Sequence, residues 1–244
     1  MKVNVKSMCP ECNRTNRDNS QLIDVNVPLN ESGIYTVECS FGHKTRHIMG
    51  VQHFEVLFEL GIMSLLDGYY RESIPNFTAA YERFYEYCIH LFLIKNNVGV
   101  KERKATWKRV SNNSEYQAAA FYYMYLNEFK EVPPEVDQKK IKAFRNKVVH
   151  KGYFPQEEET LEYARYCYEY IVGILQKMFS NEEFRVSSFH FDVEGRFSQE
   201  EGLDTTSIVP ITMIGTQTGA QDFSDRDFDE RLDYIKNHKR WIIK

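Results

Sequence analysis

Between residues 51 and 180 the apolar positions recur at helical spacing. In VQHFEVLFELGIMSLLDGYY they fall at 51, 54, 57, 58, 62, 65 and 66. RESIPNFTAAYERFYEYCIHLFLIKNN carries Phe77, Ala80, Tyr81, Phe84, Cys88 and Phe92 on neighbouring turns. It predicts a second helix that begins after Pro75, because proline breaks a helix interior. NSEYQAAAFYYMYLNEF predicts a third. PPEVDQKKIKAFRNKVVHKG predicts a fourth, started by Pro133 and Pro134 and stopped by Gly152. PQEEETLEYARYCYEYIVGILQKMF predicts a fifth, and its glutamates after Pro155 suit the exposed N–H groups of a first turn. Short connections favour an antiparallel bundle. Residues 1 to 50 alternate instead. MKVNVKS, QLIDVNVPL and GIYTVEC predict strands, separated by the turn-rich NRTNRDNS and NESG. Residues 181 to 244 are mixed. FRVSSFHFDVEGRF alternates like a strand, TTSIVPITMIG offers another, and DRDFDERLDYIKNHKRWIIK predicts a terminal amphipathic helix. The expected architecture is mainly α: a small β module over 1–50, a bundle over 51–180 and a mixed extension over 181–244.

Composition narrows the function. A chain of 244 residues can bury a core without staples. Its net charge of −4 excludes a generic polyanion binder, so any nucleic-acid site must be a local patch. Five unevenly placed cysteines argue against a secreted disulfide framework. No apolar leader stands in the first thirty residues, and the apolar runs are too short to span a bilayer. A cytoplasmic protein with no membrane partner is expected.

The β module carries metal-ligand chemistry. Cys9 and Cys12 form one knuckle in CPEC, and Cys39 and His43 form a second in CSFGH. Zinc takes about four such ligands in a tetrahedron, offered in two short knuckles. His47, in KTRHI, is an alternative to His43. The alternatives for CPEC are a pair of reduced structural cysteines or a redox pair, but a redox Cys-x-x-Cys opens a helix after a strand, and Pro10 with its turn-prone flanks argues against that. A zinc ribbon with structural zinc is expected.

The fourth helix is the most basic part of the chain. Six Lys or Arg residues, at 139, 140, 142, 145, 147 and 151, stand there with no acid between them. Lys104 and Lys108 lie in a second basic stretch, KERKATWKR. With Lys142, Lys147 and Lys151 they are the RNA-binding candidates. A charge run is otherwise a solvated helix face. Asn146 and His150 are four apart and share a face. Arg145 lies about 140° round the helix from His150, within the swing of a long side chain. Such a set can act on a phosphodiester. Histidine exchanges a proton, arginine holds a phosphate and its developing charge, and asparagine orients one of them. No metal is needed for that combination. The competing role for His150 is a helix C-terminal cap.

Other groups have plainer roles. Cys88 and Cys167 are expected in the core, as is the stripe Tyr163, Tyr166, Cys167, Tyr170 and Ile171, unless it forms a dimer face. His53 and His90 are expected as satisfied core histidines, and Trp107 in a loop that stacks on a base or anchors the loop.

FRNKVVHKGYFPQEEETLEYARY resembles the signature region of the HEPN superfamily, small helical domains of prokaryotic toxins, abortive-infection and CRISPR-associated proteins. The resemblance covers about residues 55 to 180. Arg145, Asn146 and His150 fit the family motif with four residues intervening. NFTAAYERFYEYCI resembles the family's second helix, where an acidic residue lies near the active site; Glu82 is the match, with Glu86 second. The resemblance implies a metal-independent endoribonuclease, acting on RNA as a homodimer whose two motifs line one cleft. His150 would be the general acid/base, Arg145 the phosphate-binding group and Asn146 a positioning residue. It also implies a toxin or anti-phage role, with an antitoxin or a phage-derived trigger as partner. The chain departs from the family in two places. Where silenced toxins carry a modified tyrosine two residues after the histidine, Gly152 stands here and Tyr153 follows. A zinc ribbon is not part of the minimal toxin. The alternative is a non-catalytic HEPN-like dimer that acts as a binding or sensor module.

Overall fold

The computed structural model describes residues 1–15, 22–134, 139–196, 203–216, 227–238 and 240–243. Part of the NRTNRDNS turn and the segment 135–138 after Pro134 lie outside the described residues. In chain order the elements are β1 (Lys2–Met8), α1 (Pro10–Thr15), β2 (Leu22–Pro28), β3 (Ile34–Glu38), β4 (Lys44–Met49), α2 (His53–Leu66), α3 (Tyr70–Lys95), α4 (Val100–Val110) and α5 (Ser114–Phe129). A π-helical turn (Lys139–Ala143) then leads into α6 (Phe144–Lys151), followed by α7 (Glu157–Phe179), α8 (Glu182–Arg196), β5 (Asp204–Ile208), α9 (Phe228–Asn237) and β6 (Ile242–Ile243). The protein is mainly helical, as expected.

Two small sheets flank the bundle. In one, β1 pairs antiparallel with β2, matching Val3 with Val27 and Val5 with Val25. Its other edge takes β6, with Val3 opposite Ile242. In the second sheet β4 pairs antiparallel with β3 and parallel with β5, so that Thr45 faces Asp204 and Met49 faces Ile208. Among the described residues, 181–244 thus supply one strand to each sheet as well as two helices.

The helix α2 explains its own composition. Phe54, Phe58, Ile62 and Leu65 enter the bundle core, while Met63 packs with Val3, Tyr35, Ile208 and Trp241 beneath the sheets. A helix that is apolar all round is one covered on both sides. Gly61 lets α3 approach closely: an added Cβ would lie 2.5 Å from the Phe77 ring. At α7, Gln156 and Glu159 form the capping box that the acidic start suggested, with the Gln156 N–H 2.9 Å from Glu159 Oε2. At α5, Asn113 accepts from the N–H groups of Glu115 and Tyr116.

Four expectations need correction. α3 starts at Tyr70, and Pro75 lies inside it. Pro75 is exposed near the helix start, so the carbonyl it leaves without a helical donor can be met by water. FRVSSFHFDVEGRF is the helix α8, not a strand. Its buried positions, Phe184, Ser187, Ser188 and Asp192, follow the helical period but are mostly polar, which hid it. Ser188 meets the Tyr87 hydroxyl at 2.7 Å, and Asp192 accepts from Gln52 at 2.7 Å. Trp107 belongs to α4, with its ring centroid 5.3 Å from that of His90. His53 is exposed, with Nε2 2.7 Å from the Glu31 carbonyl. His90 is buried and stacks on Phe191, yet Nδ1 has no partner among the described residues. The tyrosine stripe of α7 does contribute Tyr163, Cys167 and Ile171 to the core, and Cys88 is there too.

Candidate functional site

The first cluster comes from two turns. Cys9 follows β1 and Cys12 lies in the first turns of α1, with its N–H 3.5 Å from Cys9 Sγ. The β3–β4 turn supplies Cys39 and His43. Gly42 adopts φ 82°, which lets the Cys39 N–H reach the His43 carbonyl at 3.0 Å. Cys12 Sγ lies 3.2 Å from His43 Nδ1 and 3.6 Å from Cys39 Sγ. His43 Nδ1 is 3.6 Å from Cys39 Sγ and 3.8 Å from Cys9 Sγ. All four ligand atoms lie within 4.8 Å of one another. A tetrahedral zinc with bonds of about 2.0–2.3 Å spaces its ligands roughly 3.5–3.8 Å apart, so the donor set fits such an ion. His47 is elsewhere: it is buried, with Nδ1 3.0 Å from Ser7 Oγ.

Electrostatics favour a cation in the cluster. Burial raises the Cys9 thiol, but the Cys12 N–H, the Thr45 hydroxyl and the neighbouring thiol and imidazole outweigh it and hold Cys9 down to about 6. Burial and the adjacent sulfurs push Cys12 up. Three thiolates in one pocket repel unless a cation sits among them. The expectation that CPEC would not open a helix is corrected, since it joins β1 to α1. What separates it from a bare redox pair is the convergence of Cys39 and His43.

The second cluster is on α6. Phe144 packs on Tyr163, Val148 is fully buried, and Gly152 in the left-handed region ends the helix. The outward face presents Arg145, Asn146 and His150. Arg145 Nη1 donates to Asn146 Oδ1 at 3.0 Å and lies 3.0 Å from His150 Nε2. Guanidinium has only donors, so in this contact Nε2 is the acceptor. The 140° separation on the helix is closed by the arginine side chain.

Beside this face lies a cleft of about 350 Å³ between α3, α5 and the start of α6. Arg145, Asn146, Lys142, Glu82 and Tyr81 line it. Burial pushes the Glu82 carboxyl above its ordinary value, and Arg145 and Arg83 pull it part of the way back. Glu86 is turned away and pairs with Arg83 at 2.9 Å. Exposed His150 is outside the lining, so Arg145 joins the cleft to the imidazole.

The lysines disperse. Lys142 pairs with Glu115 of α5 at 3.0 Å, and Lys147 sits 3.3 Å over the Tyr153 ring. The acids that the basic stretch lacks in sequence therefore come partly from another helix. Lys151 is exposed. Lys104 and Lys108 line a separate hollow with His90 and Trp107 and do not reach the Arg145 cleft. The side chains of Lys139 and Lys140 lie outside the described residues.

Two buried acids on α2 had gone unnoticed. Glu55 accepts from Gln52 N–H, the Thr212 hydroxyl, and both the N–H and the hydroxyl of Thr216. Glu59 accepts from the Met213 N–H at 3.1 Å. Their signal was present as two glutamates, four apart, inside an otherwise apolar helix. Among the described residues no helix is long and apolar enough to cross a membrane. Comparison with protein-family models, with curated proteins and with solved structures found no match for this chain.

Proposed function

We propose that the protein is a metal-independent endoribonuclease of the HEPN type, acting in a toxin or anti-phage role, with a structural zinc held by Cys9, Cys12, Cys39 and His43. One observation carries this reading: Arg145 Nη1 is within hydrogen-bond reach of both Asn146 Oδ1 and His150 Nε2, beside a cleft that also holds Glu82. An imidazole nitrogen that accepts a hydrogen bond can take the proton of a ribose 2′-hydroxyl. The 2′-oxygen then bonds to phosphorus as the bond to the 5′-oxygen breaks, and that oxygen leaves with a proton. Arg145 offsets the charge that builds on the phosphoryl oxygens, and Asn146 holds the guanidinium in place. One imidazole per chain supplies one proton carrier. In a homodimer, a second copy's motif supplies the other.

The test is RNA cleavage by purified wild type and by His150→Ala, without added divalent metal and with product ends analysed. We expect wild type to leave cyclic phosphate ends and the folded variant to lose that cleavage. Failure of wild type to cleave tRNA, rRNA and mRNA, or cleavage undiminished in the variant, overturns the reading.

A further inference from the structure

A hollow of about 310 Å³ lies between α3, α4 and α8, and it shares no residue with the Arg145 cleft. Its buried side is aromatic. Trp107 of α4 and Phe191 of α8 line it with His90 of α3. The His90 ring centroid is 5.3 Å from that of Trp107 and 5.4 Å from that of Phe191. Trp107 and Phe191 are only half-buried, although both pack on the bundle core, so their outer surfaces are open and held from behind. Burial and the Arg103 guanidinium hold the His90 acid down to about 4. At neutral pH the imidazole is therefore a third uncharged ring.

The outer side is cationic. Lys104 and Lys108 line the hollow, are exposed, and stand four apart on α4. Among the described residues neither has an acid partner. The lining holds one acid, Glu194, and the buried Arg103 takes it in an ion pair. Arg103 also donates from Nε to the Val98 carbonyl at 3.0 Å, which fixes the pair in place. That pair cancels, and the charge left is that of the two lysines. Like charges four apart on a helix repel, and an anion set between them turns that repulsion into attraction. Open rings beside two unpaired ammonium groups suit a flat ring that carries an anionic group. A hydrocarbon would leave the lysines unused, and a simple anion would leave the rings unused. The volume lies at the lower end of small-molecule sites, the scale of one nucleotide.

We propose that this hollow binds one purine nucleotide, with its base stacked on Trp107 and Phe191 and its phosphate between Lys104 and Lys108. Aromatic rings bind bases through their π-faces, and lysines hold phosphate as point charges. A free mononucleotide and an unpaired nucleotide of an RNA strand offer the same chemistry. Neither Arg145 nor His150 takes part, so the proposal stands independently of the ribonuclease reading. Where the occupant is part of a strand, the hollow is a second hold on RNA, remote from the Arg145 cleft.

A base stacked on an indole quenches its emission. Full-length His150→Ala protein, chosen so that RNA is not cut, is titrated with AMP, adenosine, phenyl phosphate and tetra-adenylate. The second tryptophan, Trp241, is buried and serves as the internal reference. We expect saturable quenching by AMP, and adenosine about tenfold weaker or more, because it lacks the charge-assisted bonds to the lysines. Phenyl phosphate, with a smaller ring, should also bind more weakly. Lys104→Gln with Lys108→Gln should bring AMP to the affinity of adenosine. Trp107→Leu should weaken AMP binding about tenfold, followed by calorimetry. Tighter binding of tetra-adenylate than of AMP, lost in Trp107→Leu, assigns the hollow to an RNA strand; AMP at least as tight assigns it to a free nucleotide. No saturable response to either overturns the proposal. So does phenyl phosphate binding as tightly as AMP, or AMP affinity unchanged by Trp107→Leu. Should that variant fail to fold, the exposed lysine pair decides: a preference for AMP over adenosine that survives their replacement overturns the proposal as well.

Discussion

Gly61→Ala adds one methyl group at a close contact between α2 and α3. The new Cβ would lie 2.5, 2.6 and 2.9 Å from Phe77 Cε1, Cδ1 and Cζ, where ordinary contact begins at 3.4 Å. The ring or the helix must therefore move by nearly an ångström. Phe77 is fully buried and its ring centroid is 4.9 Å from that of Phe58, so the displacement passes into the core. Overpacking of this kind costs about 1–3 kcal/mol, and here the upper half of that range applies. Alanine recovers about 1 kcal/mol over glycine in a helix interior. The net loss is about 1–2 kcal/mol, which for a chain of this length lowers Tm by roughly 2–8 °C. Thermal and urea unfolding measure it. The partner substitution sharpens the test: Phe77→Leu alone leaves a cavity, which the methyl group added by Gly61→Ala would partly fill, so the double variant should be more stable than the two single losses added together. A Gly61→Ala protein as stable as wild type, or additive losses, would refute the idea that the glycine is there for this contact.

Two further outcomes follow from the buried groups. Purified protein should contain one tetrahedral metal ion per chain by elemental analysis, and Cys39→Ser should lower both that content and Tm; metal-free wild type with unchanged stability would remove the structural role. Glu59 should make stability fall as pH rises. Its folded-state acid is raised from 4.5 to about 7, so its contribution is complete below 4.5 and is lost as pH rises through about 7, with the neighbouring charges of Glu55 and Arg231 included. Wild type should lose about 3 kcal/mol relative to Glu59→Gln across that window in urea titrations, and parallel curves for the two proteins would contradict the assignment.

The helices were legible where burial was apolar and periodic. The stop at Gly152 and the acidic start at Glu157 also read directly, because helix termini advertise their unsatisfied backbone groups in local chemistry. The exceptions have separate causes. α8 buries Ser187, Ser188 and Asp192, so its core face does not look like one. Pro75 lies inside α3 at an exposed position, where water can meet the carbonyl it leaves without a donor, and a rule made for helix interiors placed the start too late. The pairings of β5 with β4 and of β6 with β1 join residues about 160 and 240 positions apart, and no local signal encodes such partners.

The two sites differ in legibility for a related reason. Cys9, Cys12, Cys39 and His43 each come from a short knuckle, so spacing alone could nominate them, while the choice between His43 and His47 needed the hairpin register. His47 is directly opposite Tyr35 in the β3–β4 ladder and is buried with Ser7, so it is committed to the sheet; His43 precedes the ladder and is free to turn toward the sulfurs. On α6 the spacing allowed convergence without requiring it, and side-chain reach supplies it: Arg145 spans to His150 because its guanidinium lies several bonds from the helix axis, and Asn146 steadies it from the next position. The charge of that face was the least legible property of all. It depends on Glu115, which lies 27 residues before Lys142 in the chain and 3.0 Å away in space. Field strength at that face is therefore set by tertiary pairing. Lys142 enters it as half of an ion pair, and Arg145, which lacks an ion-paired acid among the described residues, is the cation that a phosphate would meet in the cleft.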